Sequence, residues 1–84
     1  MELHDIGWAV NQMREGLAVY RRGWNGQGQF LEIKWPTAGQ KCNVPYVYIV
    51  TTQGDVVPWL CSQSDLLADD WERSSGPPSA SGSR

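Results

Sequence analysis

Residues 17–35 read LAVYRRGWNGQGQFLEIKW and contain two alternating stretches on either side of a glycine-rich segment. Side chains of an extended chain alternate between two faces, so Leu17 and Val19 share one face, as do Leu31 and Ile33. Two such stretches that follow each other closely pair as antiparallel strands. This part of the sequence therefore predicts a β-hairpin, around which the other elements are arranged.

The turn of this hairpin is expected within residues 24–28. Asn25 and Gly26 form a dipeptide that favours a type I′ turn, because both residues tolerate a positive φ. Before the hairpin, apolar residues recur at helical spacing from Ile6 to Met13, and Gly16 ends that pattern.

The remaining residues complete an α+β chain. In order, the sequence predicts a helix over 4–15, strands over 17–22, 29–35, 44–52 and 56–59, a short helix that opens at Ser62, and an edge strand at Trp71 and Glu72. The expected fold is an N-terminal helix packed on a small antiparallel β-meander, followed by a short C-terminal helix.

The aromatic residues are expected to do mainly structural work. Trp8, Trp59 and Trp71 are predicted to lie in the core or at a subunit interface. Tyr46 and Tyr48 share one face of the third strand, and if the residues between and after them face the helix, the tyrosines line the opposite side. That side then meets water, a partner subunit or a ligand.

The chain has 84 residues, which corresponds to one domain. We predict a single domain over residues 1–73 and a disordered tail over 74–84, since residues 74–83 are all Ser, Gly, Pro or Ala. A fold of this size buries only about 60% of the surface that its unfolded chain exposes. Because the sequence shows no disulfide framework or metal-ligand cluster, we expect a homo-oligomer to supply further buried surface.

Cysteine usage and charge narrow the class of protein. Cys42 and Cys61 lack a CxxC pairing and no signal peptide precedes them, so reduced thiols in a cytoplasmic protein are expected. No apolar run approaches the roughly 20 residues needed to span a bilayer. The net charge of −2 argues against a protein that coats long nucleic acid. A small anionic ligand needs only a local cluster of arginines together with backbone donors.

Residues 21–28 combine cations, an indole ring and glycines, which suits a nucleotide. Glycines let backbone N–H groups approach a phosphate, an indole can stack on a base, and arginine donates to anionic oxygens. A purely structural interpretation is equally good at this point, with Asn25-Gly26 as turn residues and Trp24 packed under the sheet. Arg21 and Arg22 alternate across a strand, and Arg22 is favoured for the site because it adjoins the loop.

Residues 58–71 repeat the combination of tryptophan with hydrogen-bonding side chains. Ser62 and Asp65 match a capping box, which explains both without a ligand. Against this, Asp65 and Asp69 lie four positions apart, a like-charge spacing that mildly destabilises a helix, and Asp70 adds a third carboxylate. Carboxylates beside tryptophan would suit ribose hydroxyls, which donate hydrogen bonds.

Catalysis and metal binding are not predicted. His4 lies near a terminus and is expected at the surface, far in sequence from Cys61. Ser62 and Ser64 do not lie in a GxSxG turn. We therefore predict no catalytic residue, no metal ligand and no cofactor.

Two motifs carry a resemblance to a known family. R-x-G-W-N-G occupies residues 21–26, and P-W-x-x-S-Q-x-D-L-L-A-x-D-W occupies residues 58–71. With the preceding helix that ends in Met13-Arg14-Glu15-Gly16, they place about residues 5–73 in register with the second family of phage Thoeris anti-defence proteins, which the chain closely resembles.

The resemblance implies a sponge, a non-catalytic protein that binds cyclic ADP-ribose-type messengers made by bacterial immune TIR enzymes and withholds them from an effector. It implies action in the cytoplasm of the infected bacterium, and in some relatives cyclic oligonucleotides at separate sites, so cyclic di- or trinucleotides are further candidate ligands. It also implies homo-oligomers, commonly tetramers, with pockets at subunit interfaces. By motif match, the implied ligand-binding residues are Arg22, Trp24, Asn25, Gly26, Trp59, Ser62, Gln63, Asp65 and Asp70.

The chain differs from the family at one place, and its residues also allow two other classes of protein. The connection between Trp35 and Tyr46 is shorter than in longer relatives, which leaves the preferred ligand undecided. Residue chemistry alone also allows a protein-binding module that inhibits a host protein directly. A third alternative is an enzyme that cleaves a nucleotide with Asp65 or Asp70 as the base.

Overall fold

The computed structural model describes residues 3–24, 28–39, 41 and 43–74. Its elements are helix α1 (Ile6–Arg14), strands β1 (Ala18–Arg21), β2 (Phe30–Lys34), β3 (Tyr46–Val50) and β4 (Val56–Pro58), helix α2 (Gln63–Leu66) and strand β5 (Trp71–Ser74). The α+β class and the order of the elements are as predicted. No helix among the described residues is long and apolar enough to cross a membrane.

All five strands form one antiparallel sheet in the order β4-β3-β2-β1-β5. Val19 pairs with Leu31 and Leu31 with Ile49, which confirms the hairpin and the meander. Strand β5 lies at the edge beside β1, as predicted, and extends to Ser74, which pairs with Ala18. The predicted tail therefore begins one residue too early, and its remaining residues, 75–84, lie outside the described part of the chain.

Helix α1 begins later than predicted because Asp5 is its N-cap. The Oδ1 atom of Asp5 accepts a hydrogen bond from the backbone N–H of Trp8 at 2.9 Å. The helix ends before Gly16, whose φ of 88° lies in the left-handed region that glycine tolerates.

The residue before this cap was expected at the surface, and the structure corrects that expectation. His4 is half-buried, and its ring stacks on Trp8 with a centroid distance of 3.8 Å. Its backbone N–H donates to Asp69 O and its carbonyl accepts from the N–H of Trp71, so it forms an isolated parallel bridge to Asp70. The start of the described chain is thereby held against β5.

The core lies between α1 and one face of the sheet, here called the helix face. Ala9 and Met13 from the helix pack on Val19, Leu31 and Trp71, each of which is at most 1% exposed. Tryptophan at the centre of such a small core contributes a large share of the buried apolar area. Part-buried residues at its margin are Ile6, Trp8, Val10, Trp24, Ile33, Val47, Ile49, Trp59 and Ala68.

The other side of the sheet, here called the open face, carries tyrosines that pair with carboxylates. Tyr20 donates to Glu72 at 3.0 Å and Tyr48 donates to Glu32 at 2.5 Å. Burial and the neighbouring Glu32 raise the pKa of Tyr48 to about 12. Since Val47 packs on the core from the same strand, the tyrosines of β3 lie on the side opposite the helix, as the sequence predicted.

Truncation of Leu31 tests this core. Leu31→Ala is expected to lower the free energy of unfolding by about 2–5 kcal/mol, because it removes buried methyl groups and leaves a cavity. Leu67→Ala is the matched control, since Leu67 is 80% exposed and the expected change is within about 0.5 kcal/mol. Urea unfolding followed by tryptophan fluorescence measures both, and equal losses would contradict the assigned core.

Candidate functional site

The two motif segments meet on the helix face. The indole Nε1 of Trp24 donates to Oδ1 of Asp65 at 3.0 Å, although 41 residues separate them in the chain. Trp24 follows β1, and Asp65 lies in α2, which the chain reaches only after passing through β4. The fold therefore brings Trp24, just after β1, against the short second helix.

Arg21 lies at the centre of this contact, and we refer to Arg21, Asp65 and Asp70 as the Arg21 cluster. Its Nη1 is 2.8 Å from Asp65 Oδ1, and its Nε is 2.6 Å from Asp70 Oδ1. Its Nη2 donates to Asp70 Oδ2 at 3.3 Å. The three side chains are only 19%, 13% and 20% exposed, so one guanidinium neutralises two largely shielded carboxylates.

The sequence favoured Arg22, but this residue points elsewhere. Its Nε lies 2.8 Å from Glu72 Oε2, beside the hydroxyl of Tyr20 on the open face. Arg21 shares the side of β1 that carries the buried Val19. Strand alternation, counted from the core residue rather than from the loop, was the signal that would have selected Arg21.

Helix α2 supplies Asp65 through a standard N-terminal cap. The hydroxyl of Ser62 accepts a hydrogen bond from the backbone N–H of Asp65 at 3.2 Å, as the capping-box interpretation predicted. Asp65 is the one buried charged residue in the described part of the chain, at 9% exposure. Burial raises the pKa of Asp65, but hydrogen bonds from Trp24, Arg21 and Ser62 outweigh it, so the pKa lies below its usual value.

Asp70 holds the beginning of the loop. Its Oδ2 accepts from the backbone N–H of Gly23 at 2.8 Å, and its carbonyl accepts from the N–H of Arg22 at 3.1 Å. The hydrogen bonds from Arg21 are the main reason that the pKa of Asp70 is lowered, and the Gly23 amide adds to the effect against the cost of burial. Both carboxylates therefore stay ionised at neutral pH.

Three tryptophans from different parts of the chain surround the cluster. Trp71 meets Trp24 edge to face at 5.5 Å and Trp59 at 6.1 Å, with interplanar angles of 80° and 88°. The indole Nε1 of Trp71 donates to the carbonyl of Asp65 at 3.3 Å. Trp71 ends the second motif but is not among the ligand-binding residues that the family resemblance implies.

The remaining predicted site residues lie at different places. Gln63 is exposed at the first position of α2, and Asn25 and Gly26 fall outside the described residues. The structure thus brings together Trp24, Trp59, Ser62, Asp65 and Asp70, adds Arg21, Gly23 and Trp71, and directs Arg22 to the other face.

Other chemistry near the cluster is limited. Burial and the charge of Asp65 raise the pKa of the Cys61 thiol, which therefore remains protonated at neutral pH. In the part of the chain that the structure describes, no group of three or more His, Cys, Asp or Glu residues is arranged to hold a metal ion. The cluster offers fixed charges, and Trp24, Trp59 and Trp71 form what we call the aromatic wall beside it. Neither of them supplies an activated nucleophile.

Comparison with known proteins agrees with the motif positions. Residues 4–73 match the family model described as the Thoeris anti-defense 2-like domain. A curated relative, Thoeris anti-defense 2 of Bacillus phage SP01, is 34% identical over 80 residues, and the match covers 80% of this chain and 90% of that protein. The matched region includes every described helix and all strands except the last residue of β5.

The lowered pKa values of Asp65 and Asp70 predict a loss of stability in acid. Because these values lie below those of the unfolded chain, near 3.9, the cluster contributes stability fully above about pH 4 and loses it as the pH falls through the native pKa values. Urea unfolding at pH 7 and at pH 3 measures the difference.

Single substitutions assign this acid sensitivity to the cluster. Asp70→Asn is expected to cost about 1–3 kcal/mol at pH 7, since Arg21 loses a charged acceptor, and to reduce the dependence on pH. Asp69→Asn is the control, because the neighbouring Asp69 is exposed and its carbonyl, not its side chain, bonds to His4. An equal effect of both substitutions would contradict the assignment.

Proposed function

This chain belongs to the Thoeris anti-defense 2 family, and from that premise we propose that it is a phage sponge for cyclic ADP-ribose-type immune messengers. It acts inside the infected bacterium by binding the messenger intact and withholding it from its receptor. The observation that carries the proposal is the contact between Trp24 and Asp65, which joins the two family motifs at one place on the helix face.

The aromatic wall is suited to a base. Trp24 is half-buried, so part of its ring remains available for stacking, while the ring also contacts Trp71 at an interplanar angle of 80°. Stacking of a base on an aromatic side chain contributes about 1–3 kcal/mol. Asn25 and Gly26 continue the same loop and are proposed to complete this side of the site, where backbone N–H groups would meet the phosphates.

The charge of the Arg21 cluster indicates which part of such a ligand can lie against it. Arg21 with Asp65 and Asp70 carries a formal charge of −1, since one cation faces two carboxylates. A phosphate is therefore not expected to lie against these carboxylates, which repel it, whereas ribose hydroxyls are compatible with them. Trp59, Ser62 and Gln63 are proposed as further ligand contacts from the second motif. Arg22 pairs with Glu72 on the open face, so it is proposed to contact a phosphate only in a site formed at a subunit interface.

The state of the cluster favours binding over cleavage. Both carboxylates have lowered pKa values and donors already bonded to them, so neither is poised near neutrality as a general acid or base. The nearby Cys61 thiol is protonated. We therefore propose a non-catalytic protein whose effect comes from affinity.

Self-association belongs to the same proposal. Leu60, Leu67 and Val56 are 90%, 80% and 62% exposed in the single chain, and the open face of the sheet adds aromatic rings. Such surface favours a homo-oligomer, for which we propose a tetramer. Light scattering on the purified protein tests this, with a mass four times that of one chain expected and a monomer contradicting it.

Binding of glycocyclic ADP-ribose tests the proposed function. A sponge must outcompete the receptor, so we expect a Kd in the nanomolar range, equivalent to about −12 kcal/mol at 1 nM. Trp24→Ala is expected to weaken binding by about 1–3 kcal/mol through loss of stacking. Trp35→Ala is the matched control, because Trp35 is 47% exposed after β2, in the groove beside Arg14 rather than at the cluster. Isothermal titration calorimetry measures all three proteins.

The fate of the nucleotide separates a sponge from the other classes. After incubation and heat denaturation, chromatography is expected to recover unchanged ligand, about one equivalent per site. Turnover beyond one equivalent would establish an enzyme. Absence of binding to glycocyclic ADP-ribose, cyclic ADP-ribose and a panel of cyclic di- and trinucleotides, together with stoichiometric capture of a host protein, would establish a protein-binding module instead.

A further inference from the structure

The first half of the hairpin loop is fastened to the sheet before any ligand is present. Arg21 O accepts from the backbone N–H of Trp24 at 3.2 Å, and Asp70 accepts from the N–H groups of Arg22 and Gly23. These bonds start from β1 and from the residue just before β5, the two strands that lie side by side. The backbone that leads to Trp24 is thus held on two sides.

Gly23 also leaves room for the side chains of Asp70 and Arg21. A Cβ atom at this position would lie 2.8 Å from Asp70 Oδ2 and 3.2 Å from Arg21 Nη2. A distance of 2.8 Å is shorter than carbon–oxygen van der Waals contact, so any side chain would push the carboxylate away from the Gly23 amide or displace the loop. The glycine lets the backbone approach Asp70 closely enough for the 2.8 Å hydrogen bond.

The side chain of Trp24 is held as firmly as its backbone. Its indole N–H donates to Asp65, the same Oδ1 atom that accepts from Arg21 Nη1. Its ring stands at 80° to Trp71, which is 1% exposed. The indole N–H is therefore committed within the protein, so a ligand that reaches this ring would stack on it rather than bond to its N–H.

We propose that Arg21 and Gly23 are positioning residues that fix the orientation of the Trp24 ring through Asp65 and Asp70, and thereby set the affinity for ligand without touching it. In this arrangement the two carboxylates hold Arg21, the Gly23 amide and the Trp24 indole, in addition to any bond that a ribose hydroxyl makes to them. Arg21 has to be an arginine, since a lysine ammonium is a point charge and does not present the fork that reaches both carboxylates. The effect on affinity rests on the proposed function, while the orientation of Trp24 does not.

Two variants remove the two parts of this support. Arg21→Lys keeps the charge and breaks the double contact, and Gly23→Ala introduces the clash with Asp70. Their controls are Arg14→Lys in the last turn of α1 and Gly7→Ala in the same helix, where the added Cβ would lie 3.4 Å from Asp5 Oδ1, at the edge of ordinary contact. Thermal unfolding confirms which proteins are folded, and Arg21→Lys serves alone if Gly23→Ala does not fold.

Hydrogen exchange of the indole N–H of Trp24, followed by NMR, reports its orientation. Both variants are expected to exchange this proton at least tenfold faster than the unsubstituted protein and the controls, with the indole of Trp35 unchanged. Calorimetry with glycocyclic ADP-ribose is expected to show a Kd at least tenfold higher in the same two variants.

The other outcomes separate a failure of this proposal from a failure of the proposed function. Weaker binding with unchanged exchange at Trp24 would mean that Arg21 touches the ligand directly. Faster exchange with unchanged affinity would mean that the fixed orientation is irrelevant to binding. If the unsubstituted protein does not bind glycocyclic ADP-ribose, the proposed ligand is wrong, and the exchange rates alone decide: unchanged rates then overturn the positioning of Trp24, and faster rates uphold it.

Discussion

A single guanidinium shared by two carboxylates is the constraint on which the C-terminal half of this fold depends. Charges that leave water must be paired and hydrogen-bonded, or their desolvation cost exceeds what a small domain can sustain. Arg21, Asp65 and Asp70 meet this condition with contacts of 2.6 and 2.8 Å. Pairing these charges requires α2 to return to the end of β1. The path of the chain after β4 and the ion pairs of the cluster therefore depend on each other.

The core and the candidate site share residues, and Trp71 belongs to both. Trp71 packs among the fully buried residues, and the same ring meets Trp24 and Trp59 at nearly right angles. Its N–H also bonds to the carbonyl of Asp65. In a domain with so few buried residues, a change in the site therefore alters the packing that stabilises the fold, and the site is as rigid as the core beneath it.

Local sequence patterns predicted most of the fold, because each depends on neighbouring residues. The hairpin, the meander and the cap formed by Ser62 follow from alternation, turn chemistry and the capping box. The prediction for His4 was wrong because its bonds to Asp69 and Trp71 span the whole chain and leave no local pattern. The start of α1 was placed too early although its signal is local, since Asp5 caps the helix by accepting from the N–H of Trp8 three residues on.

The sequence predicted which two segments form the candidate site, but not which side chains of those segments meet there. The two motifs identified Trp24 and Asp65, whose contact the structure contains, yet adjacency to the loop favoured Arg22 over Arg21. A strand offers its side chains to two faces in strict alternation, so proximity along the chain is a poor guide and parity with the buried Val19 is a good one. Pairing partners far along the chain then decide what each arginine does.

High affinity for a small charged ligand depends on what the protein has ordered beforehand. Each side chain that must be immobilised on binding costs about 0.5–1.5 kcal/mol, which is lost from the affinity. Here the indole of Trp24 is already fixed by its N–H bond to Asp65, its contact with Trp71 and the backbone before it, so stacking on it carries little of that cost. The net charge of the cluster works in the same direction, because two carboxylates beside one guanidinium repel a phosphate and so disfavour ligand orientations that bring one against them.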